Sequence, residues 1–279
     1  FGSVVKPLVI AAGIDAGVIS ASTPFYDKGS VQVEDKEIFN FDKKGRGQVT
    51  MQDVLSESLN TGMVFAMQKM GRSKFKEYML DYRPGEKTNI DLPNEAKGLI
   101  GNLDEPRELE YANISFGQGI SFSPIVLIRA IASLGNGGYL IRPHIVKEIE
   151  YHDGGSKTFE YLKEDQPTVI KPETSRAISD MLVYSVDHVY GSGKYKMENY
   201  SIAAKTGTAQ IPNPVDGGYF TDRNLHTFIG YFPASDPEFV ILLSISAPKG
   251  VKYAAETLSE PFFDITKFLI NYYEVAPDR

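Results

Sequence analysis

Ala203-Ala204-Lys205-Thr206-Gly207-Thr208-Ala209-Gln210 follows Tyr200-Ser201-Ile202 and reads with it as a β-strand. A lysine, two small hydroxyl residues and a glycine in one strand describe an edge that an extended chain can approach. Gly207 lacks the Cβ that would obstruct a substrate backbone drawing near. Lys205 supplies a cation beside it, and Thr206 and Thr208 supply hydroxyls. Such an edge suits an extended peptide that ends in a carboxylate. Taken alone, Lys205-Thr206-Gly207 reads equally as an ordinary edge strand with a solubilising lysine.

Two further stretches change the balance. The chain opens Phe1-Gly2-Ser3-Val4-Val5-Lys6-Pro7, which contains Ser-x-x-Lys. Proline is tolerated only near a helix N-terminus, so Pro7 puts Ser3 at or just before the first turn of a buried helix running to about Ala12. Lys6 then lies one turn on, on the same face as Ser3. In isolation the pattern more commonly means a capping serine followed by a surface lysine. The other stretch is Ser58-Leu59-Asn60. It interrupts a predicted helix that Thr50 caps, with Asp53 at the capping-box position, and that runs to about Met70. Val54, Leu55, Leu59, Met63 and Met67 form its apolar face. Ser58 and Asn60 are therefore either exposed polar residues on an amphipathic helix, or the lip of a break that aims side chains into a cleft.

Composition bounds the class. At 279 residues the chain suffices for one large domain or two intimate subdomains. Apolar content of 42% with 23% charged residues is that of a globular protein. A net charge of −7 argues against a nucleic-acid partner. The absence of cysteine excludes disulfides and thiolate chemistry. The apolar run from Pro7 to Ser20 is too short to span a bilayer and is broken by Asp15. No signal peptide is visible, and Phe1 in place of an initiator methionine suggests a fragment or a processed product.

Between the motifs, residues 21–48 read as a loop with a small hairpin around Val31-Gln32-Val33. A short helix is predicted over Ser73 to Asp81, then a proline-rich loop over residues 83–106. Tyr111-Ala112-Asn113 has the form of a Tyr-x-Asn motif, but the Ser-x-Asn position is already filled, so it is set aside. Gly117-Gln118-Gly119 resembles a phosphate loop only superficially, because it lacks a third glycine and a surrounding βαβ unit. Ser123-Pro124 starts a helix to Leu134. Tyr139 to Tyr151 and Lys157 to Leu162 read as a protruding hairpin that turns at Asp153-Gly154-Gly155. Pro172 starts a helix to about Val189, with Ile178, Met181, Leu182 and Ser185 on one face. Strands are predicted over His226 to Phe232 and Glu238 to Ser246, antiparallel across Pro233-Ala234-Ser235-Asp236-Pro237 and in the order Lys205 strand, His226 strand, Glu238 strand. A last helix over Ala254 to Tyr273 places Leu258, Phe262, Ile265, Leu269 and Tyr272 on the stripe that should cover this sheet.

Ser3-x-x-Lys6, Ser58-x-Asn60 and Lys205-Thr206-Gly207, in that order, resemble the motif set of serine β-lactamases and penicillin-binding proteins. The chain as a whole resembles the transpeptidase domain of a class B penicillin-binding protein. The likeness is closest over residues 55–70 and 199–212 and at Phe116-Gly117-Gln118-Gly119 before Ser123-Pro124. This implies a mixed α/β (α+β) fold of the penicillin-binding/serine β-lactamase type: an antiparallel sheet with flanking helices, set against an all-helical subdomain. The helical part would cover residues 20–190, and the sheet part residues 1–19 and 195–279, with the active site between them.

The resemblance also implies roles. Ser3 would be the nucleophile and Lys6 its base, with a pKa lowered by burial and by Lys205. The N–H groups of Ser3 and Thr208 would form the oxyanion hole. Ser58 would relay a proton to the leaving D-alanine, and Asn60 would hold the substrate amide. Lys205, Thr206 and Thr208, in the strand with Gly207, would orient the carboxylate. An acyl-enzyme would form and be resolved by the amine of a second stem peptide, with no metal or organic cofactor. The implied partners are peptidoglycan stem peptides ending in D-Ala-D-Ala, β-lactams and a glycosyltransferase, at the outer face of the cytoplasmic membrane, in cell division or cell shape. Ala204 departs from the family's usual glycine. The family also places two sheet strands before the nucleophile. Without them residues 238–246 would present an open apolar edge, with poor solubility or dimerisation as the expectation. Competing readings are a D-Ala-D-Ala carboxypeptidase, a serine β-lactamase and a non-catalytic sensor of β-lactams or muropeptides. A Ser-His-Asp hydrolase is disfavoured, because His144, His152, His188 and His226 have no Gly-x-Ser-x-Gly beside them.

Overall fold

The computed structural model describes residues 1–160, 162, 165–215 and 217–279. Gly2–Val5 forms a 3₁₀ turn that runs directly into helix α1 (Lys6–Asp15). Pro7 sits in the first turn of α1, where a missing N–H breaks no bond. The helix is apolar on every side, and Lys6 through Gly13 are buried, as befits a helix surrounded by others.

Strands β1 (Pro24–Asp27), β2 (Ser30–Val33), β3 (Lys36–Phe39) and β4 (Gly47–Thr50) follow. The hairpin expected around Val31-Gln32-Val33 is β2 with β3, and β1 pairs antiparallel with β4 around it. Thr50 caps α2 (Met51–Ser56) through the capping box with Asp53. Of the two readings of the Ser58–Asn60 interruption, the break is the one observed: the helical stretch to Met70 is two helices, α2 and α3 (Asn60–Met70), with Ser58 between them. Next come α4 (Arg72–Asp81), α5 (Glu108–Ser115) and α6 (Pro124–Gly135). The protruding hairpin is shorter than its predicted strands, with β5 (Glu148–Glu150) paired to β6 (Ser156–Thr158). Residue 161 of the second predicted strand lies outside the described residues. Helix α7 (Pro172–Tyr184) continues as a π-helical turn over Ser185–Val189, and its predicted apolar face is buried.

The chain closes with β7 (Ala203–Pro212), β8 (Tyr219–Phe232), β9 (Phe239–Ser246) and α8 (Ala254–Tyr272). The three strands form one antiparallel sheet in the order β7-β8-β9, as predicted. Its two faces belong to different apolar clusters. Ala203, Ile229 and Tyr231 join the larger cluster, which α1 and the helices around it dominate. Ala204, Phe228 and Phe232 join Leu258, Phe262 and Phe263 of α8 on the other face, where Phe228 and Phe262 stack with ring centroids 4.3 Å apart.

The predicted stripe of α8 needs correction. Leu258 and Phe262 are buried, but Ile265 and Tyr272 are exposed, and Phe263, Thr266 and Ile270 take their places. The burial of a threonine in preference to an isoleucine has a local cause: the Thr266 hydroxyl donates to Phe262 O at 2.9 Å within its own helix, so no polar atom is left unpaired. No helix among the described residues is long and apolar enough to cross a membrane.

Candidate active site

Alternation along β7 sorts its side chains between the two clusters. Lys205 and Gly207 share the face of Ala203, toward the helices, while Thr206 and Thr208 share the face of Ala204. The 3₁₀ turn at Gly2–Val5 packs directly on this strand. A Cβ at Gly207 would lie 2.5 Å from Phe1 O and 3.2 Å from Val4 N. The chain's own N-terminal turn thus requires the glycine, whatever the approach of a substrate backbone that the sequence suggested. A second glycine also closes on this turn: a Cβ at Gly117 would lie 2.0 Å from Gly2 O, and Gly117 has φ +87°. Gly2, Val4 and Val5 are buried, and half-buried Ser3 is the side chain the turn presents. Phe116-Gly117-Gln118-Gly119, noticed in the sequence but given no task there, therefore fixes the height of Ser3.

Lys6 is fully buried, and its amino group lies 2.6 Å from Ser58 O, 2.7 Å from Asn60 Oδ1 and 3.1 Å from Ser58 Oγ. Lys205, also buried, reaches the same Ser58 Oγ at 3.1 Å and Thr206 O at 3.0 Å. One hydroxyl thus bridges two lysines contributed by the first helix and by β7. Ser58 has φ +59°, an uncommon backbone for a residue with a side chain, and the break it makes aims both its carbonyl and its hydroxyl at Lys6.

Burial, and then the neighbouring Lys205 charge, holds the Lys6 ammonium well below the ordinary lysine range. Burial lowers Lys205 to about 7. Ser3 and Lys6 make no direct hydrogen bond, and Ser3 Oγ has no hydrogen-bond partner among the described residues. The Lys6 amine turns instead to two carbonyl oxygens, which are stronger acceptors than a hydroxyl.

Asn60 is engaged at both ends. Its Oδ1 accepts from Lys6, and its Nδ2 donates to Phe39 O at 2.8 Å. Behind it the buried Asp27 carboxylate accepts from Gly29 N, Asn40 Nδ2, Arg46 N and Thr61 Oγ1 at 2.7–3.0 Å. Asn40 Oδ1 in turn accepts from Thr61 N at 3.2 Å. This polar knot ties residues 24–50 to the start of α3 and holds the Ser58–Asn60 break in place. Nothing in the one-dimensional pattern marked Asp27 or Asn40, because their partners are distant in sequence.

Thr208 Oγ1 accepts from Ala254 N at 2.9 Å, at the first residue of α8, which leaves its own proton free to donate to an anion. His226 pairs with Thr208 across the sheet and has both ring nitrogens engaged, with Thr257 Oγ1 at 2.9 Å and Lys252 O at 3.1 Å. It faces α8 and is not placed to serve Ser3. Tyr111 lies in α5, where its hydroxyl donates to Leu103 O at 2.7 Å, away from the lysine pair.

Gly117→Ala tests the seating of Ser3, the nucleophile that the motif resemblance implies. An added methyl must displace the Gly2–Ser3 backbone, and misplacement on the scale of an ångström costs on the order of 10²-fold in rate. Acylation of the protein should slow by about that factor. Thermal unfolding measured alongside separates this from collapse of the fold.

Comparison with known proteins agrees with the geometry. Residues 1–266 match the penicillin binding protein transpeptidase domain. The chain is 32% identical over 264 residues to stage V sporulation protein D of Bacillus subtilis, covering 93% of this chain and 40% of that protein. It is 30% identical over 290 residues to penicillin-binding protein PbpB of Mycolicibacterium smegmatis, covering 99% of this chain and 44% of that one. It is also 30% identical to the peptidoglycan D,D-transpeptidase FtsI homolog of Mesostigma viride, covering 99% and 50%. Among solved structures, penicillin binding protein 3 of Mycobacterium tuberculosis complexed with aztreonam superposes with a TM-score of 0.88 at 26% identity, covering 100% of this chain and 63% of that one. The chain spans half or less of the length of these curated relatives.

Proposed function

The chain belongs to the penicillin binding protein transpeptidase family, and we propose that it is the catalytic domain of a peptidoglycan D,D-transpeptidase working through a Ser3 acyl-enzyme. The observation that carries this reading is the pair of buried lysines sharing one serine hydroxyl beside the turn that presents Ser3. A neutral Lys6 takes the Ser3 proton as Oγ attacks the carbonyl of the penultimate D-alanine. Negative charge develops on that carbonyl oxygen against the N–H groups of Ser3 and Thr208. Ser58, between the two lysines, passes a proton to the departing D-alanine amine. Lys205, Thr206 and Thr208 hold the terminal carboxylate. The role of Asn60 in this reading is to orient Lys6 through Oδ1, with substrate contact secondary. The amine of a second stem peptide then displaces the enzyme from the acyl group.

Support for the substrate class comes from relatives named as peptidoglycan D,D-transpeptidases and from a neighbour of similar fold solved with aztreonam. By the same reasoning β-lactams acylate Ser3, and the protein works in cell-wall synthesis outside the cytoplasm. An anchor in the cytoplasmic membrane and a glycosyltransferase partner complete the proposal. Labelling the intact protein with a fluorescent penicillin, then mapping the modified peptide by mass spectrometry, tests it. Label on any residue other than Ser3 overturns it.

The lysine pair gives the reaction a pH signature. Acylation needs Lys6 neutral and Lys205 charged. The rate should therefore rise with pH through the lowered Lys6 pKa and fall again above about 7 as Lys205 loses its proton. Lys205→Met removes the like charge that helps depress Lys6. The Lys6 pKa then rises, the acid limb moves to higher pH and the basic limb disappears. Acylation rate constants measured across about pH 5 to 9 read this directly. An unmoved acid limb would show that the two lysines are not coupled.

A further inference from the structure

The free edge of β7 is closed at one end by a side chain that none of the three motifs includes. Ala247 N donates to Asn224 O, so the even-numbered residues of β8 direct their backbone groups to β9. Its odd-numbered residues must then bond β7, and the register Lys205↔Ile229 makes the odd-numbered residues of β7 the paired ones. The N–H and C=O groups of Ala204, Thr206 and Thr208 consequently point outward, along the edge where a peptide would add as a further strand.

Tyr190, just after the π-helical turn that follows α7, reaches this edge. Its hydroxyl donates to Ala204 O at 3.4 Å, and the N–H and hydroxyl of Thr206 face the same phenolic oxygen. A single hydroxyl thereby stands where an added strand would supply both an N–H and a C=O. The ring is anchored behind it, edge-on to Phe228 with centroids 6.1 Å apart and against the cluster under α8.

At the other end of the edge, the Gly2–Ser3 turn abuts Thr208, where a Cβ on Gly2 would lie 3.1 Å from Thr208 O. From Thr208 to Thr206 the strand advances about 7 Å, at about 3.4 Å per residue. A peptide whose reacting carbonyl lies at Thr208 N–H therefore has room for one further residue and its terminal carboxylate before it meets Tyr190.

We infer that Tyr190 is the stop that ends strand pairing on the β7 edge and restricts the donor to peptides with a single residue beyond the bond that is broken. The inference rests on the transpeptidase reading above and adds to the carboxylate contacts of that reading a steric limit set by one side chain outside the three motifs.

The test uses the intact protein and two donors: a short acyl-peptide ending in D-Ala-D-Ala, and the same peptide lengthened by a C-terminal glycine. Mass spectrometry reads the leaving group, D-alanine or D-alanyl-glycine, and penicillin labelling of Ser3 reports that the site is assembled. The wild type should prefer the shorter donor by about 100-fold or more, and Tyr190→Ala should reduce that preference to about 10-fold or less. Tyr190→Phe keeps the packed ring and removes only the hydroxyl. It should lower the preference by about threefold, and it carries the test if the alanine variant fails to fold. Preference unchanged in every variant that still labels with penicillin overturns the inference, even where thermal stability has dropped. A wild type that does not label at Ser3 removes the transpeptidase reading, and the stop with it.

Discussion

Ser3→Ala abolishes covalent labelling by penicillin, with the acylation rate falling by on the order of 10⁴-fold or more, to below detection. The size follows from chemistry: among the described residues, Ser3 alone is a partly exposed hydroxyl one helical turn from a buried lysine. Ser58, the nearest competitor, is held between two lysine amino groups and sits at a backbone break rather than on a presenting turn. Loss of fold is not the expected cause. Ser3 is half-buried and its hydroxyl has no partner among the described residues, so its removal leaves no acceptor or donor stranded. A melting temperature within a degree or two of the wild type, together with complete loss of label, is the predicted pair of results. Label that persists in the alanine variant transfers the nucleophile role to another residue.

Lys6→Ala should slow acylation by about 10³-fold, the typical scale of a lost general base. Here stability also responds, and its sign with pH is fixed. Lys6 in the folded protein has a pKa well below the ordinary lysine value of 10.5, so in the interval between the two the unfolded chain binds more protons than the native one. Wild-type stability therefore rises with pH across that interval. The cost of burying the ammonium is fully present below the folded pKa and has vanished above about 10.5. Lys6→Ala flattens this dependence and leaves Ser58 O and Asn60 Oδ1 without their shared donor, at about 1–3 kcal/mol. Lys6→Arg separates charge from basicity: guanidinium keeps the cation but does not deprotonate at working pH, so this variant should be as slow as alanine. An active arginine variant would show that Lys6 acts by its charge alone and would move the base elsewhere.

The fold was legible wherever local signals agree with burial. Thr50 with Asp53 announced a helix start through a capping box that the structure contains. Pro7, Pro124 and Pro172 each marked a first turn, where the missing N–H breaks no helical bond. The antiparallel pairing of β8 with β9 followed from the short connection over Pro233 to Pro237. Legibility failed where a polar residue is buried by satisfying itself, as Thr266 is on α8, and stayed undecided where a helix breaks without glycine or proline, as at Ser58. In both cases hydropathy does not decide, because a hydrogen bond or a backbone angle does.

The sequence by itself determined which side chains we propose to carry chemistry. Ser3, Lys6, Ser58, Asn60 and Lys205 are a set whose residue types and order resemble the motif set of penicillin-binding proteins. It also determined that Ser3 and Lys6 share a helical face, because their separation is one turn. Only the tertiary structure decided what those groups do to one another. Lys6 turns to Ser58 and Asn60 instead of Ser3, Thr208 holds the start of α8, and Gly207 and Gly117 clamp the turn that presents the nucleophile. The lowered lysine pKa values, the Asp27 knot and Tyr190 at the β7 edge belong to the same class. Each depends on burial or on contact between residues far apart in the chain. Burial and long-range contact are properties of the packed molecule, and a local pattern of residues carries no record of them.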